Sequence, residues 1–362
     1  MKRQILKRSL IVFCMVAWLS LAVGCKAIEN EMPKATATVK STDVSIEKMD
    51  QYLPEVEVIG IPLPAPLDKP NAEISGMAWY GDKLVLLPQY PDRFNVDDYD
   101  NLFFIEKEDL LNYIKNPEGN VISLSQIPFD DGSIQDQLPG FEGYEAIAFT
   151  GDRFYITIET KPDDHMMGYL AAGSIEGDLV FLSLNLEKIN ELPPQDDFTN
   201  ASDEAIVIYQ EKVYTIFEDN GQTQNPDAIV HVFDLDLNAL GTIPMAPIAY
   251  RVTDATEADE NGVFWVMNYF YPGDTHLVQD ADPLTELYGE GETHALYEPV
   301  ERIVKMALTD EGVTLVDEAP ILIKLLPDDE ARNWEGIVHL DGEGFLIATD
   351  KFPETILGFI KF

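Results

Sequence analysis

The chain has 362 residues, with 24 basic against 65 acidic side chains and a formal charge of −41 at neutral pH. So acidic a surface repels nucleic acid and anionic lipid and attracts divalent cations, which excludes a nucleic-acid-binding role. Of the two cysteines, Cys14 falls inside an apolar leader. Only Cys25 remains in a mature chain, so neither an intramolecular disulfide nor a cysteine-based metal site can form.

Lys2, Arg3, Lys7 and Arg8 precede an apolar run from Ser9 to Val23. This is the layout of a secretory signal, and the run is too short for a stable membrane span. Removing residues 1–24 takes away those four basic residues and no acid, so the charge moves from −41 to −45. Leu21-Ala22-Val23-Gly24-Cys25 resembles a bacterial lipobox. That resemblance implies cleavage before Cys25, a lipid on Cys25, and a place in the cell envelope on the outer side of a bacterial membrane, touching it through the anchor alone. An ordinary secretory signal is the alternative reading. Lys26 follows the cysteine, unlike an inner-membrane retention signal. Residues 25–50 read as the lipidated cysteine and a polar tether. Residues 51–362 are left as one folded domain, long enough for a large all-β core.

Val56 to Leu63 reads as a strand with no hairpin partner nearby. A repeated phrase follows: a polar residue opening a short strand, a turn, and a second strand ending in a polar group. The copies run from Ser75 through Gly81-Asp82 to Gln89, from Glu145 through Gly151-Asp152 to Glu159, and from Glu204 through Gln210-Glu211 to Glu218. The fourth runs from Thr253 through Asn261-Gly262 to Asn268, and the fifth from Glu335 to Asp350. Two further strands are expected after each of the first four copies, and one after the last. Helix is expected at Lys107–Lys115 and near Leu186–Leu192. A repeat of this spacing is a solenoid or propeller signature. The strand count predicts an all-β, five-bladed β-propeller whose N-terminal strand closes the last blade and removes the open sheet edge. Six blades stay open if the long first or fourth interval hides a weak one.

Inner strands of a propeller line its channel, and pairing about each turn nominates Ser75, Glu145, Glu204, Thr256 and Glu335 as one ring. Three carboxylates converging on an axis are costly without a positive charge between them. Ca²⁺ tolerates such irregular oxygen geometry better than Mg²⁺. Gln89, Glu159, Glu218, Asn268 and Asp350 form a second rim, in which Glu159 and Asp350 are candidates to activate water. Arg93, Lys161, Arg332 and Lys351 are candidates to bind a small anionic ligand, or else pair with neighbouring acids. The segment from Tyr269 to Pro299 is a lid, a partner surface or a simple insertion.

The phrases Glu73-Ile74-Ser75-Gly76, Tyr144-Glu145-Ala146 and Trp334-Glu335-Gly336-Ile337 resemble those of five-bladed calcium-activated nucleotidases (apyrases). There an axial calcium takes one residue per blade, in the order Ser, Glu, Glu, Ser, Glu; Thr replaces the second Ser here. Trp334 to Asp350 also resembles phytase-like (esterase-like) propellers. Together the resemblances cover about a quarter of the chain. They imply a calcium ring and a hydrolase of phosphate esters or anhydrides. Apyrase nucleotide contacts have no counterpart beyond Asp92-Arg93, so no further residue is carried over. The alternative is a non-catalytic binding or scaffold propeller with a structural calcium and a protein partner. Either way a monomer is expected. Five-bladed glycosidases use three channel carboxylates, but equivalent positions in adjacent blades suit metal ligation better than a split acid and base. The five histidines show no paired metal spacing. There is no Gly-x-Ser-x-Gly elbow and no phosphate-binding or dinucleotide loop.

Overall fold

The computed structural model describes residues 52–361 except 97, 163, 165, 196–199 and 280. The leader, Cys25, the tether to residue 50 and His165 lie outside the described residues. The chain folds as successive antiparallel meanders in which each strand pairs with the next. The first contains Ile74–Tyr80, Lys83–Pro88, Asp100–Glu106 and Ser125–Asp130, and the second Phe141–Thr150, Arg153–Thr160, Met167–Glu176 and Phe181–Leu192. The third contains Asp203–Tyr209, Lys212–Phe217, Ile229–Asp234 and Ala239–Pro244, and the fourth Arg251–Ala255, Val263–Phe270, Val300–Thr309 and Gly312–Leu315. The last contains Trp334–Leu340, Gly344–Thr349 and Leu357–Lys361, and its fourth strand is Ile59–Ile61 from the N-terminal end. Gly60 lies opposite Gly358 in that closing pair, as the N-terminal strand was expected to do.

The expected Val56–Leu63 strand is in fact two. Its first piece, Glu55–Val56, pairs in parallel with Ile321–Ile323 on the fourth meander, and only its second closes the last. The outer strands of the first two meanders also join in parallel, Phe129 opposite Leu182, which makes one eight-stranded sheet of them.

The first strand of each meander packs against the first strand of the next, and that of the last returns against Ile74–Tyr80. Because side chains alternate across a strand, each sheet feeds a core on both faces. Met77 and Leu84 pack with Val338 and Leu346, while their neighbours Ala78 and Val85 pack with Ile147 and Ile156. Ala146 and Tyr155 then meet Ile206 and Val213, Ala205 and Ile216 meet Val252 and Phe264, and Met267 meets Trp334 and Ile347. Each apolar face is buried on a neighbouring sheet, and the ring closes: this is a β-propeller architecture.

A helix covers Lys107–Lys115 as expected and buries Leu110. The helix expected near Leu186–Leu192 is instead the end of the strand Phe181–Leu192. There the chain pairs with Met167–Glu176 across a bulge between Asn185 and Ile189, and sheet pairing overrides local propensity. An unanticipated short helix, Pro283–Tyr288, starts at Asp282, whose carboxylate accepts the Leu284 N–H.

Candidate functional site

Every inner strand carries a β-bulge near its start. Register shifts fall between Ile74 and Gly76, Tyr144 and Ile147, Asp203 and Ala205, Val252 and Asp254, and Trp334 and Gly336. A bulge turns its extra residue away from the alternation of the strand. The residues so placed are Ser75, Glu145, Glu204, Thr253 and Glu335. Each stands six positions before the first residue of its hairpin turn: 81, 151, 210, 259 and 341.

The fourth meander therefore places Thr253 at this position, not the expected Thr256. The turn is not Asn261-Gly262 alone but Asp259 to Gly262, capped by the Asp259 carboxylate, which accepts the N–H groups of Asn261 at 2.8 Å and Val263 at 2.9 Å. Thr256 sits at the turn end of its strand, where its hydroxyl accepts the Trp265 N–H at 3.0 Å. Thr253 instead repeats the bonding of Ser75. The Ser75 hydroxyl donates to the Tyr144 carbonyl at 2.6 Å, and the Thr253 hydroxyl donates to the Trp334 carbonyl at 2.6 Å. Each hydroxyl thus pins the residue just before the next glutamate of the ring and keeps lone pairs for another partner.

Small residues follow the bulge in four of the five strands because neighbouring backbones approach closely there. A Cβ on Gly76 would lie 2.7 Å from the Glu145 carbonyl oxygen. The exception is Asp254, whose buried carboxylate accepts the Ile337 N–H of the last meander at 2.8 Å.

Glu145, Glu204 and Glu335 line a cavity of about 660 Å³, together with Glu159, Glu218 and Asp350. Gln89 also lines it and donates to Glu145 at 3.1 Å. The second rim is shifted by the same register. Tyr269, and not Asn268, lines the cavity beside the fourth meander. Asn268 is fully buried, donates to the Ala249 and Arg251 carbonyls, and accepts from Arg302 Nε at 2.7 Å. Ser75, Thr253 and Thr256 are not lining side chains of the cavity.

Electrostatics confirm that the carboxylates crowd one another. Burial, then the charge of Glu159, holds Glu145 well above the usual carboxylate range. Burial, then Glu218 and Glu335, does the same to Glu204; burial, then Asp350 and Glu145, to Glu335. Burial pushes Glu159 up to about 7, against a hydrogen bond from Ser202, with Glu218 raising it further. Burial also raises Glu218 and Asp350, although Arg251 opposes the shift at Glu218 and the Phe352 N–H opposes it at Asp350. Glu204 Oε2 and Glu218 Oε2 are buried with no hydrogen-bond partner. Yet no three His, Cys, Asp or Glu side chains among the described residues meet at metal-ligand distance. The acids repel one another within the cavity, where the Glu218 carboxyl also meets that of Glu204 in a hydrogen bond. The donor set of carboxylates, hydroxyls and two partnerless buried oxygens still fits a hard, oxygen-seeking cation.

The expected anion clamp is mostly engaged elsewhere. Arg332 is buried against Glu301, with Nη2 2.7 Å from Oε2. Arg93 stacks on Tyr90 and pairs with Glu73 at 2.8 Å; Lys351 lines the cavity but lies 3.4 Å from the other Glu73 oxygen. Lys161 is not part of the cavity wall. The basic residue that sequence reasoning missed is Arg251, buried on the wall between Glu218 and Asp274. Its one sequence signal is the scarcity of basic residues in so acidic a chain. Trp79, Trp265 and Trp334 belong to the packing between sheets, not to the cavity.

No family model and no curated protein matches the chain. Among solved structures it is similar to an α-L-arabinofuranosidase from Clostridium thermocellum ATCC 27405, at 13% identity and TM-score 0.43 over 76% of this chain and 81% of that one. It is similar to a putative glycoside hydrolase from Bacteroides ovatus ATCC 8483, at 10% identity and TM-score 0.41 over 80% and 86%. A third is the soluble aldose sugar dehydrogenase of Escherichia coli, at 10% identity and TM-score 0.42 over 84% and 99%. Likenesses this distant assign the chain neither a family nor an activity.

Proposed function

We propose that the protein is a lipid-anchored, five-bladed β-propeller, one blade per meander, that holds Ca²⁺ on its axis and hydrolyses phosphate esters or anhydrides. One observation carries this reading. The same bulge position in successive inner strands holds Ser75, Glu145, Glu204, Thr253 and Glu335, and the three glutamates line a cavity that keeps partnerless buried carboxylate oxygens. Buried carboxylates must be protonated or paired, and a dication with hard oxygen ligands pairs several at once. The order of residues matches that of the apyrase ring, with Thr253 for the second serine. When bound, the ion would polarise a phosphoryl oxygen. Glu159 and Asp350, on the cavity wall with raised pKa values, are the groups placed to take a proton from water. Lys351 stands on the same wall, within reach of an anion that draws it from Glu73. The anchor at Cys25 and an envelope location follow from the lipobox resemblance.

A second reading, a scaffold with a structural calcium, is favoured by the engagement of Arg93, Arg332 and Lys351 with Glu73 and Glu301. Its partner surface would be the segment from Tyr269 to Pro299, which exposes Tyr271, Leu287 and Leu296.

Melting curves of the full-length protein with calcium, magnesium or chelator, followed by a phosphate-release screen, test both. Selective stabilisation by calcium is expected. If calcium-dependent phosphate release accompanies it, the hydrolase reading stands; stabilisation without turnover leaves the scaffold. Calcium stabilisation equal in wild type and a folded Glu145→Gln, Glu335→Gln protein would remove the ring from both.

A further inference from the structure

We propose that Arg251 is a built-in counter-ion of the cavity that competes with the axial dication for Glu218, and so sets how tightly the ring binds metal. This rests on the metal reading of the ring and adds a residue that acts through Glu218, a positioning role and not a catalytic one.

Arg251 is 8% exposed and forms an ion pair with Glu218 Oε1, while its Nε lies 2.9 Å from Asp274 Oδ2. It is the only arginine among the lining residues, and Lys351, the other basic group there, is turned to Glu73. Glu218 itself is 2% exposed, and its other oxygen, Oε2, has no partner; nor has Glu204 Oε2. Glu218 therefore gives one oxygen to the guanidinium, and its carboxyl also meets that of Glu204, so a cation that bridges the two acids competes with Arg251.

Position explains why an arginine can stand here. Arg251 lies two residues before the bulge residue Thr253, where the other meanders place Glu73, Gly143, Ser202 and Asn333. At this position Arg251 lines the cavity without standing at the bulge itself. Its second partner, Asp274, belongs to the segment after Phe270. When a dication takes Glu218, the guanidinium keeps Asp274 as a counter-charge and can stay buried. A guanidinium and a dication sharing one carboxylate repel each other. At about 5 Å the repulsion reaches roughly a tenfold effect on affinity even at the dielectric of water.

Calcium titration of the full-length protein by calorimetry tests this. Arg251→Gln, which keeps an N–H for Glu218 but removes the charge, should bind calcium about tenfold tighter or more. Arg251→Lys, which keeps the charge, should remain within about threefold of wild type. Asp274→Asn, which leaves the arginine's charge less balanced, should weaken binding several-fold, and that effect should shrink in the Arg251→Gln background. A merely structural arginine predicts lower melting temperatures with unchanged or weaker affinity, and that pattern in folded Arg251→Gln overturns the proposal. If Arg251→Gln does not fold, unchanged or tighter binding by Asp274→Asn overturns it instead. Wild type that binds no calcium at all would sink the metal reading itself, a result distinct from an affinity indifferent to Arg251.

Discussion

Thr253 and Thr256 have the same chemistry three positions apart, and only the bulge separates their roles. Thr253 pins the Trp334 carbonyl beside Glu335, whereas Thr256 closes a hairpin end. Losing one buried hydrogen bond costs about 1 kcal/mol or somewhat more. Thr253→Val should lower stability by that amount and weaken calcium binding several-fold. Thr256→Val should lower stability comparably and leave calcium affinity as it was. Calorimetric titration of the two variants checks the contrast, and equal affinities would remove Thr253 from the ring. The same level of detail places Arg332, which appears in the sequence as a cation near the mouth and is in fact a buried strut to Glu301.

Among the elements, the segment from Tyr269 to Pro299 is the one whose role the fold revises most. It is anchored at several points. Asp274 pairs with Arg251, and Asp282 takes both terminal nitrogens of buried Arg302. Thr293 and His294 donate to Glu55 at the start of the folded chain. Leu277 and Leu284 are buried. Tyr269, Tyr271 and Asp274 of this segment line the cavity, and the other anchors tie its described residues to the rest of the fold. Asp282→Ala would strip a buried arginine of its carboxylate and remove the helix cap at once. Breaking a buried pair from one side costs about 3–5 kcal/mol. The variant should unfold at correspondingly lower urea concentration and be cleaved within the segment by protease under native conditions. Unchanged urea midpoint and cleavage would show that Asp282 is dispensable to the wall.

For the molecule as a whole, concentrating acids around one cavity links stability to pH. Glu145, Glu159, Glu204, Glu218, Glu335 and Asp350 all have raised pKa values in the folded state. A carboxyl whose folded pKa exceeds its unfolded value contributes stability that is complete below the unfolded value and is lost as pH rises through the folded one. For Glu159 that window runs from 4.5 to about 7, equivalent to roughly 3 kcal/mol. With chelator present, the melting temperature should therefore be highest near pH 5 and fall toward pH 8. Calcium should flatten or reverse that slope, because the metal stabilises the ionised acids. Differential scanning calorimetry across this range checks both slopes; a chelated protein that grows more stable from pH 5 to pH 8 would contradict the buried-acid account.

By itself the sequence determined the repeat. Period-two alternation and turn residues specify hairpins locally, so the inner strands, the helix at Lys107–Lys115 and the N-terminal strand that closes on Leu357–Lys361 were legible. The places of Glu145, Glu204 and Glu335 on the cavity wall were legible for the same reason, since each follows the spacing of its own turn. Tertiary structure alone decided what depends on contacts between repeats. Thr253 takes the bulge position because its hydroxyl bonds to the neighbouring inner strand and the Asp259 cap widens the turn. Leu186–Leu192 is strand because a partner strand is there to pair with it. Arg251 faces carboxylates from two other parts of the chain, at 218 and 274, and only the packing of the third meander against the fourth brings those charges together.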